Sequence, residues 1–401
     1  MRILFIHNNF PAQFGRLGQY LARQGWEVHF ATQAAKVNLA GITVHQYGKP
    51  QFKERRTHPY AINYENAVVT GQAMTRLALQ LKQNGLEPDI IMAHSGWGPG
   101  LFVKEVWPQA KYIGYYEWYY QGLAIDTMFL NNAEPNPDQR LRAVSRNGAI
   151  VMDMIQSDIS LCPTRFQADQ FPASLRDQLT VIHDGIDTEY FSPDESTTFN
   201  HEDKTYTVQD EIITYVARGM EPYRGFPQFM AALATLQKQR PNLQAIIVGN
   251  DRVAYGAQLP EGQSYKKQAL EELDLDLNRI CFTGLLPYEE YRKVLRISSA
   301  HVYLTIPFVL SWSMMEAMST GCLLVASDTE PVRELITDQE NGILVPFHDQ
   351  QPLIEKLNQI LDDPQAFTAL RQKARETILS TYKVEEIFKQ KEQMLRDLLA
   401  Q

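Results

Sequence analysis

The chain has 401 residues, too many for one ordinary hydrophobic core, so two domains are expected. Hydrophobic residues make up 44% and charged residues 21%, the balance of a folded globular protein. The net charge of −9 argues against a nucleic-acid partner, because phosphate binding needs a positive footprint.

Short apolar runs alternate with longer helical patterns along the whole chain. The first half carries strand candidates at 2–7, 27–32, 42–47, 89–93, 111–115, 159–162 and 179–182. Helical patterns fall between them, notably at 13–24 and 64–83. Runs this short and this uniformly apolar are typical of parallel strands covered on both faces. Strand–helix alternation then implies right-handed crossovers and a doubly wound α/β fold.

Residues 192–210 read SPDESTTFNHEDKTYTVQD, polar and without apolar periodicity, and are expected to be an interdomain linker. Beyond them the alternation restarts, with strands at 212–216, 243–248, 279–282, 301–305, 323–326 and 343–345. From about 351 onward only helices follow. The expected division is an N-terminal Rossmann-like domain at 1–191, a linker at 192–210, and a C-terminal domain at 211–381. In doubly wound sheets ligands bind beyond the carboxyl ends of the strands, so two such domains facing a cleft suit a two-substrate transfer.

Cys162, Cys281 and Cys322 lie in apolar runs without metal-ligand spacing and read as buried small hydrophobes of a reducing compartment. The apolar run at 3–6 is too short for a secretory signal, and no stretch is long enough to span a bilayer. A cytoplasmic enzyme is expected. The basic cluster of Lys53, Arg55 and Arg56 leaves room for a peripheral contact with the inner membrane face, though such clusters are commonly solvated loops.

Two segments could carry chemistry. In IITYVARGMEPYRGFPQF, Arg218 follows an apolar strand directly and Arg224 sits six residues on, before the next helix. Two arginines around one loop can clamp a diphosphate, since guanidinium stays charged and donates in a fork. In TIPFVLSWSMMEAMSTG, a helix is expected to begin near Ser311, its free N–H groups and positive dipole end suited to an anion. Glu316, more than one turn inside, could accept from a ribose diol. Surface arginines and a helix packed on a sheet account for the same residues without any ligand.

Taken in order, the segments resemble the retaining family-4 (group 1) glycosyltransferases of the GT-B fold. That family's strand, Gly-Arg, Lys-Gly and helix are matched by Ala217-Arg218 and Arg224-Gly225. Its Phe-Thr-Gly-x-Leu-Pro is matched, one position shifted, by residues from Phe282 to Pro287. Its Asn-Gly-Val-Asp corresponds to Asp184-Gly185-Ile186-Asp187, and its Glu-Ala-Met-Ala-x-Gly to Glu316-Ala317-Met318-Ser319-Thr320-Gly321. Glu334 and Asn341-Gly342 also fall where the family has a Glu and a Gly.

The resemblance implies a nucleotide-sugar donor, UDP-glucose or GDP-mannose among the options, a carbohydrate or glycolipid acceptor, and no metal. Arg218 and Arg224 would hold the diphosphate and stabilise its departure. Leu310, Ser311, Trp312, Ser313 and Met314 would offer backbone N–H groups, Leu285 would lie against the base, and Glu316 would hold the ribose. A final helix, about 382–401, would pack back on the first domain.

Three departures stand out. Phe308 occupies the place of the family's sugar-binding Glu, eight residues before Glu316. Tyr116 or Glu117 stands where a His is common, so Glu117 is the candidate for a catalytic polar contact and Tyr116 for the acceptor. The first loop has Asn8 and Asn9 in place of a Gly-Gly pair, and both, with His94, are acceptor candidates. Rival expectations are a non-catalytic nucleotide-sugar-binding protein of the same fold and a nucleotide-sugar epimerase or hydrolase. A nicotinamide-dependent oxidoreductase is disfavoured, since no Gly-x-Gly-x-x-Gly follows a strand.

Overall fold

The computed structural model describes residues 1–49 and 57–401, so Lys53, Arg55 and Arg56 lie outside the described residues. The chain divides into two compact units. The first comprises Met1–Met128, Ala133–Asp184 and Glu385–Gln401, and the second Phe129–Asn132 and Gly185–Val384.

The first unit is built on seven strands: β1 (Arg2–Ile6), β2 (Glu27–Thr32), β3 (Thr43–Gln46), β4 (Ile90–His94), β5 (Lys111–Tyr115), β6 (Ile159–Cys162) and β7 (Leu179–Val181). They form one sheet in the order β3-β2-β1-β4-β5-β6-β7, with every pairing parallel. Ile3, Leu4, Phe5 and Ile6 of β1 and Ile90 to Ala93 of β4 are buried, because helices cover both faces of a parallel sheet. Each buried Leu, Ile, Phe or Met side chain among them contributes about 1.5–3 kcal/mol. The order reverses direction between β1 and β4, and the carboxyl ends there form the usual ligand-binding edge.

The second unit's strands are a hairpin, β8 (Thr198–His201) and β9 (Lys204–Thr207), then β10 (Ile212–Gly219), β11 (Gln244–Asn250), β12 (Ile280–Gly284), β13 (Ala300–Tyr303), β14 (Leu324–Ser327) and β15 (Ile343–Val345). The last six make a parallel sheet ordered β12-β11-β10-β13-β14-β15, whose reversal lies between β10 and β13. The expected strands of both halves are present, with ends moved by up to three residues.

The hairpin is where structure and expectation part. Residues 198–207, within the expected linker, form an antiparallel pair belonging to the second unit. Phe199 and Tyr206 face each other across it, ring centroids 6.2 Å apart, and are buried with Ile212, Ile246 and Val294. One apolar residue per strand is too sparse to register as alternation, yet it suffices when a neighbouring sheet supplies the rest of the core.

The last helix, Val384–Ala400, is tied to the first unit by polar contacts that are themselves buried. Lys391 Nζ lies 3.1 Å from Asp184 Oδ1, with side-chain exposures of 3% and 7%. Tyr115 Oη donates to the other Asp184 oxygen at 2.8 Å. Nearer the end of the helix, Trp26 Nε1 and Tyr20 Oη both donate to Glu392. No helix among the described residues is long and apolar enough to cross a membrane.

Two predictions follow from these buried charges. Lys391→Met should destabilise the first unit by about 3–5 kcal/mol, because it strands the Asp184 carboxylate without its cation. Lys391→Met with Asp184→Asn should recover part of that loss in a thermal melt. In the second unit, burial pushes the His301 imidazole down to about 4 from its ordinary 6.5. A histidine depressed in the fold contributes stability fully present above the unfolded value and lost as pH falls towards the folded one. Melting temperature should therefore drop between pH 6.5 and about 4, and the slope should be shallower for His301→Asn.

Candidate active site

At the second unit's strand reversal, Arg218 is the penultimate residue of β10 and is exposed. The chain then turns through Glu221 and the short 3-10 helix Pro222–Arg224. Gly225 closes this turn at φ 63°, and a Cβ there would lie 2.4 Å from the Cβ of Leu304, so the turn demands glycine. Glu221 is fully buried and accepts from the backbone N–H of Ala254 and, at 3.1 Å, of Tyr255. Burial raises its carboxyl above the usual value, against the pull of those N–H groups and of Arg224 and Arg252.

Arg224 is buried, unlike Arg218. Its Nη1 donates to Thr305 Oγ1 at 2.9 Å and its Nη2 to the carbonyl of Val309 at 2.8 Å. Guanidinium has five N–H donors, so these bonds to the protein leave part of the fork for a ligand. The arginine thus anchors the loop after β13 as well as lining it. Tyr303 Oη accepts from the Ser311 N–H at 2.8 Å, pinning the far end of that loop. Phe308, in the place of an expected carboxylate, lies 5.2 Å from the Tyr223 ring and 5.1 Å from the Tyr255 ring. The guanidinium carbon of Arg224 is 5.3 Å from the Tyr255 ring centre, within reach of a cation–π attraction.

The helix Trp312–Thr320 starts where the sequence places it, capped by Ser311. Three of the five N–H groups expected to face a ligand are engaged within the protein. Ser311 donates to Tyr303, Ser313 to Ser311 Oγ at 3.3 Å, and Met314 to the Ser311 carbonyl at 3.2 Å. Leu310 and Trp312 are half-buried. Glu316 is buried, its carboxylate accepting from Tyr291 Oη at 3.0 Å and Tyr288 Oη at 3.4 Å. Burial and then Glu316 hold the Tyr291 hydroxyl well above its ordinary pKa, so it remains a donor. Leu285, just past β12, is exposed.

At the first unit's reversal, β1 leads into His7, Asn8 and Asn9, and β4 ends on His94. Asn9 N–H donates to His7 Nδ1 at 2.8 Å, and Asn8 Oδ1 accepts from Tyr47 Oη at 2.6 Å. Asn9 is exposed and Asn8 half-buried. His94 has its Nδ1 3.0 Å from the Ser95 carbonyl and its Nε2 3.1 Å from Glu117 Oε2. Gln13 Nε2 donates to the other Glu117 oxygen at 2.8 Å. Burial pushes the Glu117 carboxyl up, but His94 and Gln13 outweigh it and hold the group below its usual value.

Tyr116 does not belong with these groups. It is buried against Ile150, Met154 and Phe171, and its hydroxyl meets Ser157 Oγ at 2.8 Å. Successive side chains past a strand end point to opposite sides, which separates Tyr116 from Glu117. Gln13, Glu221, Tyr288 and Tyr291 went unnoticed in the sequence, since each acts through a residue distant in the chain.

Two parallel α/β sheets, each with charged and aromatic groups at its strand reversal, are the architecture of a GT-B transferase. A family model described as "Glycosyl transferase family 4 group" matches residues 24–191, and one described as "Glycosyl transferases group 1" matches 196–377. The chain belongs to the family-4/group-1 glycosyltransferases and is a nucleotide-sugar-dependent glycosyltransferase. A D-inositol 3-phosphate glycosyltransferase of Corynebacterium efficiens is 23% identical over 90% of this chain and 83% of its own. A phosphatidyl-myo-inositol mannosyltransferase of Mycolicibacterium smegmatis is 28% identical over 40% of this chain and 38% of its own. Among solved structures, sucrose-phosphate synthase from Thermosynechococcus elongatus has a TM-score of 0.72 at 18% identity, covering 100% of this chain and 99% of that one. Anabaena HepE in complex with UDP and glucose has a TM-score of 0.71 at 17% identity, covering 99% and 100%. Likeness at that identity establishes the shared fold.

The anchoring role of Arg224 is directly testable. Arg224→Lys keeps the charge but cannot bridge Thr305 and Val309 together. It should cost about 1–3 kcal/mol in thermal unfolding and expose residues 306–311 to limited proteolysis.

Proposed function

We propose that the enzyme is a retaining hexosyltransferase that moves a sugar from a UDP- or GDP-linked donor to a carbohydrate or lipid-linked acceptor in polysaccharide or glycoconjugate assembly. The second unit takes the donor and the first the acceptor. The observation that carries this reading is the convergence of Arg218, Arg224 and the capped helix at the carboxyl ends of β10 and β13. Arg218 is the exposed cation for the diphosphate, and Arg224 shares its fork between that group and the loop. The N–H groups of Leu310 and Trp312 complete the anion's surroundings. Ser311, Ser313 and Met314 shape that turn, Glu316 accepts from the ribose, and Leu285 lies under the base.

In the transfer the bond from the anomeric carbon to the diphosphate oxygen breaks. The acceptor oxygen bonds to that carbon on the same face, and its proton leaves with the diphosphate. Positive groups aimed at the departing oxygens stabilise the charge that develops there. Glu117, positioned by His94 and Gln13, accepts from the acceptor hydroxyl, with Asn8 and Asn9 beside it. The named relatives act on inositol-based acceptors, and HepE was solved with UDP and glucose, which supports a UDP-linked donor and a polyol or sugar acceptor here.

A melting-temperature screen against UDP, GDP, ADP and their sugar conjugates tests the donor side. The cognate nucleotide should stabilise by about 2.7 kcal/mol at a hundredfold excess over its dissociation constant. Arg218→Ala and Glu316→Ala should each weaken that response at least tenfold. Unchanged affinity in both variants would overturn the donor assignment. Turnover intact in Glu117→Gln with the donor still bound would remove Glu117 from the reaction.

A further inference from the structure

Trp97 presents the surface with 60% of its area exposed, in the loop that follows β4. Scattered exposed apolar residues are ordinary, but this one is held in place. Gly96 and Gly98 on either side have φ of 88° and 91°. A Cβ on Gly98 would stand 1.9 Å from the carbonyl oxygen of Ala67, so the loop lies directly against the helix Ile62–Gln83. Ser95, before the turn, is fixed by its N–H to the Tyr115 carbonyl at 2.9 Å and by its hydroxyl to the buried Asp153 at 2.7 Å. The backbone on both sides of Trp97 is thus tied down while its indole buries little.

A polar ring adjoins the indole. Its ring centre is 6.2 Å from that of His94, edge to face, and His94 joins Glu117 and, through Glu117, Gln13. The ring of His7 adjoins His94 at 4.7 Å. An aromatic face beside a few fixed hydrogen-bonding groups is the composition of a small-ligand site.

We propose that Trp97 is the stacking platform of the acceptor site, selecting an acceptor whose reacting hydroxyl is carried on a pyranose ring. One face of such a ring presents C–H groups to the electron-rich indole, while a hydroxyl at its edge reaches Glu117, which His94 and Gln13 hold in place. An acyclic polyol phosphate has no comparable face. The inference rests on the first unit being the acceptor side.

The test uses the full chain, with and without UDP or GDP. The probes are methyl α-glucopyranoside, methyl α-mannopyranoside and methyl β-galactopyranoside, with sn-glycerol 3-phosphate as the acyclic control. At least one pyranoside should change tryptophan emission saturably and raise the melting temperature. Trp97→Ala should weaken the binding read from that melting shift by roughly two- to tenfold. Trp97→Phe should keep most of the binding and lose the emission change. The nucleotide response should be the same in all three proteins. Pyranoside binding undiminished in Trp97→Ala, binding by the acyclic phosphate alone, or no pyranoside binding at all would each overturn the proposal. If Trp97→Ala fails to fold, the decision passes to Trp97→Phe, where an emission change that persists places the sugar elsewhere. A missing nucleotide response in wild type, with pyranoside binding retained, speaks against the donor reading and not against Trp97.

Discussion

A strand covered on both faces of a parallel sheet is open to a ligand only at its end. Both sheets of this protein are of that kind, and the candidate site residues lie accordingly at the carboxyl ends of the strands. Where the strand order reverses, adjacent crossovers leave to opposite faces, and the strand ends between them stay uncovered. His7 and His94 flank that point in one sheet, Arg218 and Thr305 in the other. The same constraint explains why residues so far apart in sequence meet.

The second unit's reversal shows how a mobile-looking loop is made rigid. The segment from Ile306 to Ser311 has no regular structure, yet Arg224 holds its middle by the Val309 carbonyl and Tyr303 holds its end by the Ser311 N–H. Glu221 does the same for the neighbouring turn at Ala254 and Tyr255. The two buried charges lie on one short stretch of chain, so a single turn fixed by Gly225 organises both loops. Arg218, by contrast, is exposed.

Much of this was legible in the sequence. The apolar runs marked the strands, because burial on both faces leaves a continuous signal over four or five residues. Arg224-Gly225 and the stretch from Glu316 to Gly321 marked a glycine-closed turn and a capped helix, since those positions carry local backbone requirements. The hairpin at 198–207 did not show, because its core contribution is one ring per strand. Tyr116 was misplaced for a different reason: a residue just past a strand end points to either side according to a pleat that sequence does not display. The roles of Glu221, Tyr288 and Tyr291 depend on partners brought by other elements, as does the buried pairing of Lys391 with Asp184.

By itself, then, the sequence determined what is periodic or local: two doubly wound halves, their strands, their glycine turns and the capped helix. The tertiary structure decided what each polar residue is bonded to. It set Arg218 in solvent and Arg224 in the loop's interior, gave Glu316 two tyrosine donors, joined Gln13 and His94 on Glu117, and left Trp97 exposed beside them. The reason is physical. Backbone geometry and apolar burial are set by neighbours along the chain, whereas a hydrogen bond or an ion pair needs a partner within about 3 Å, and distant strands deliver that partner only once the fold is complete.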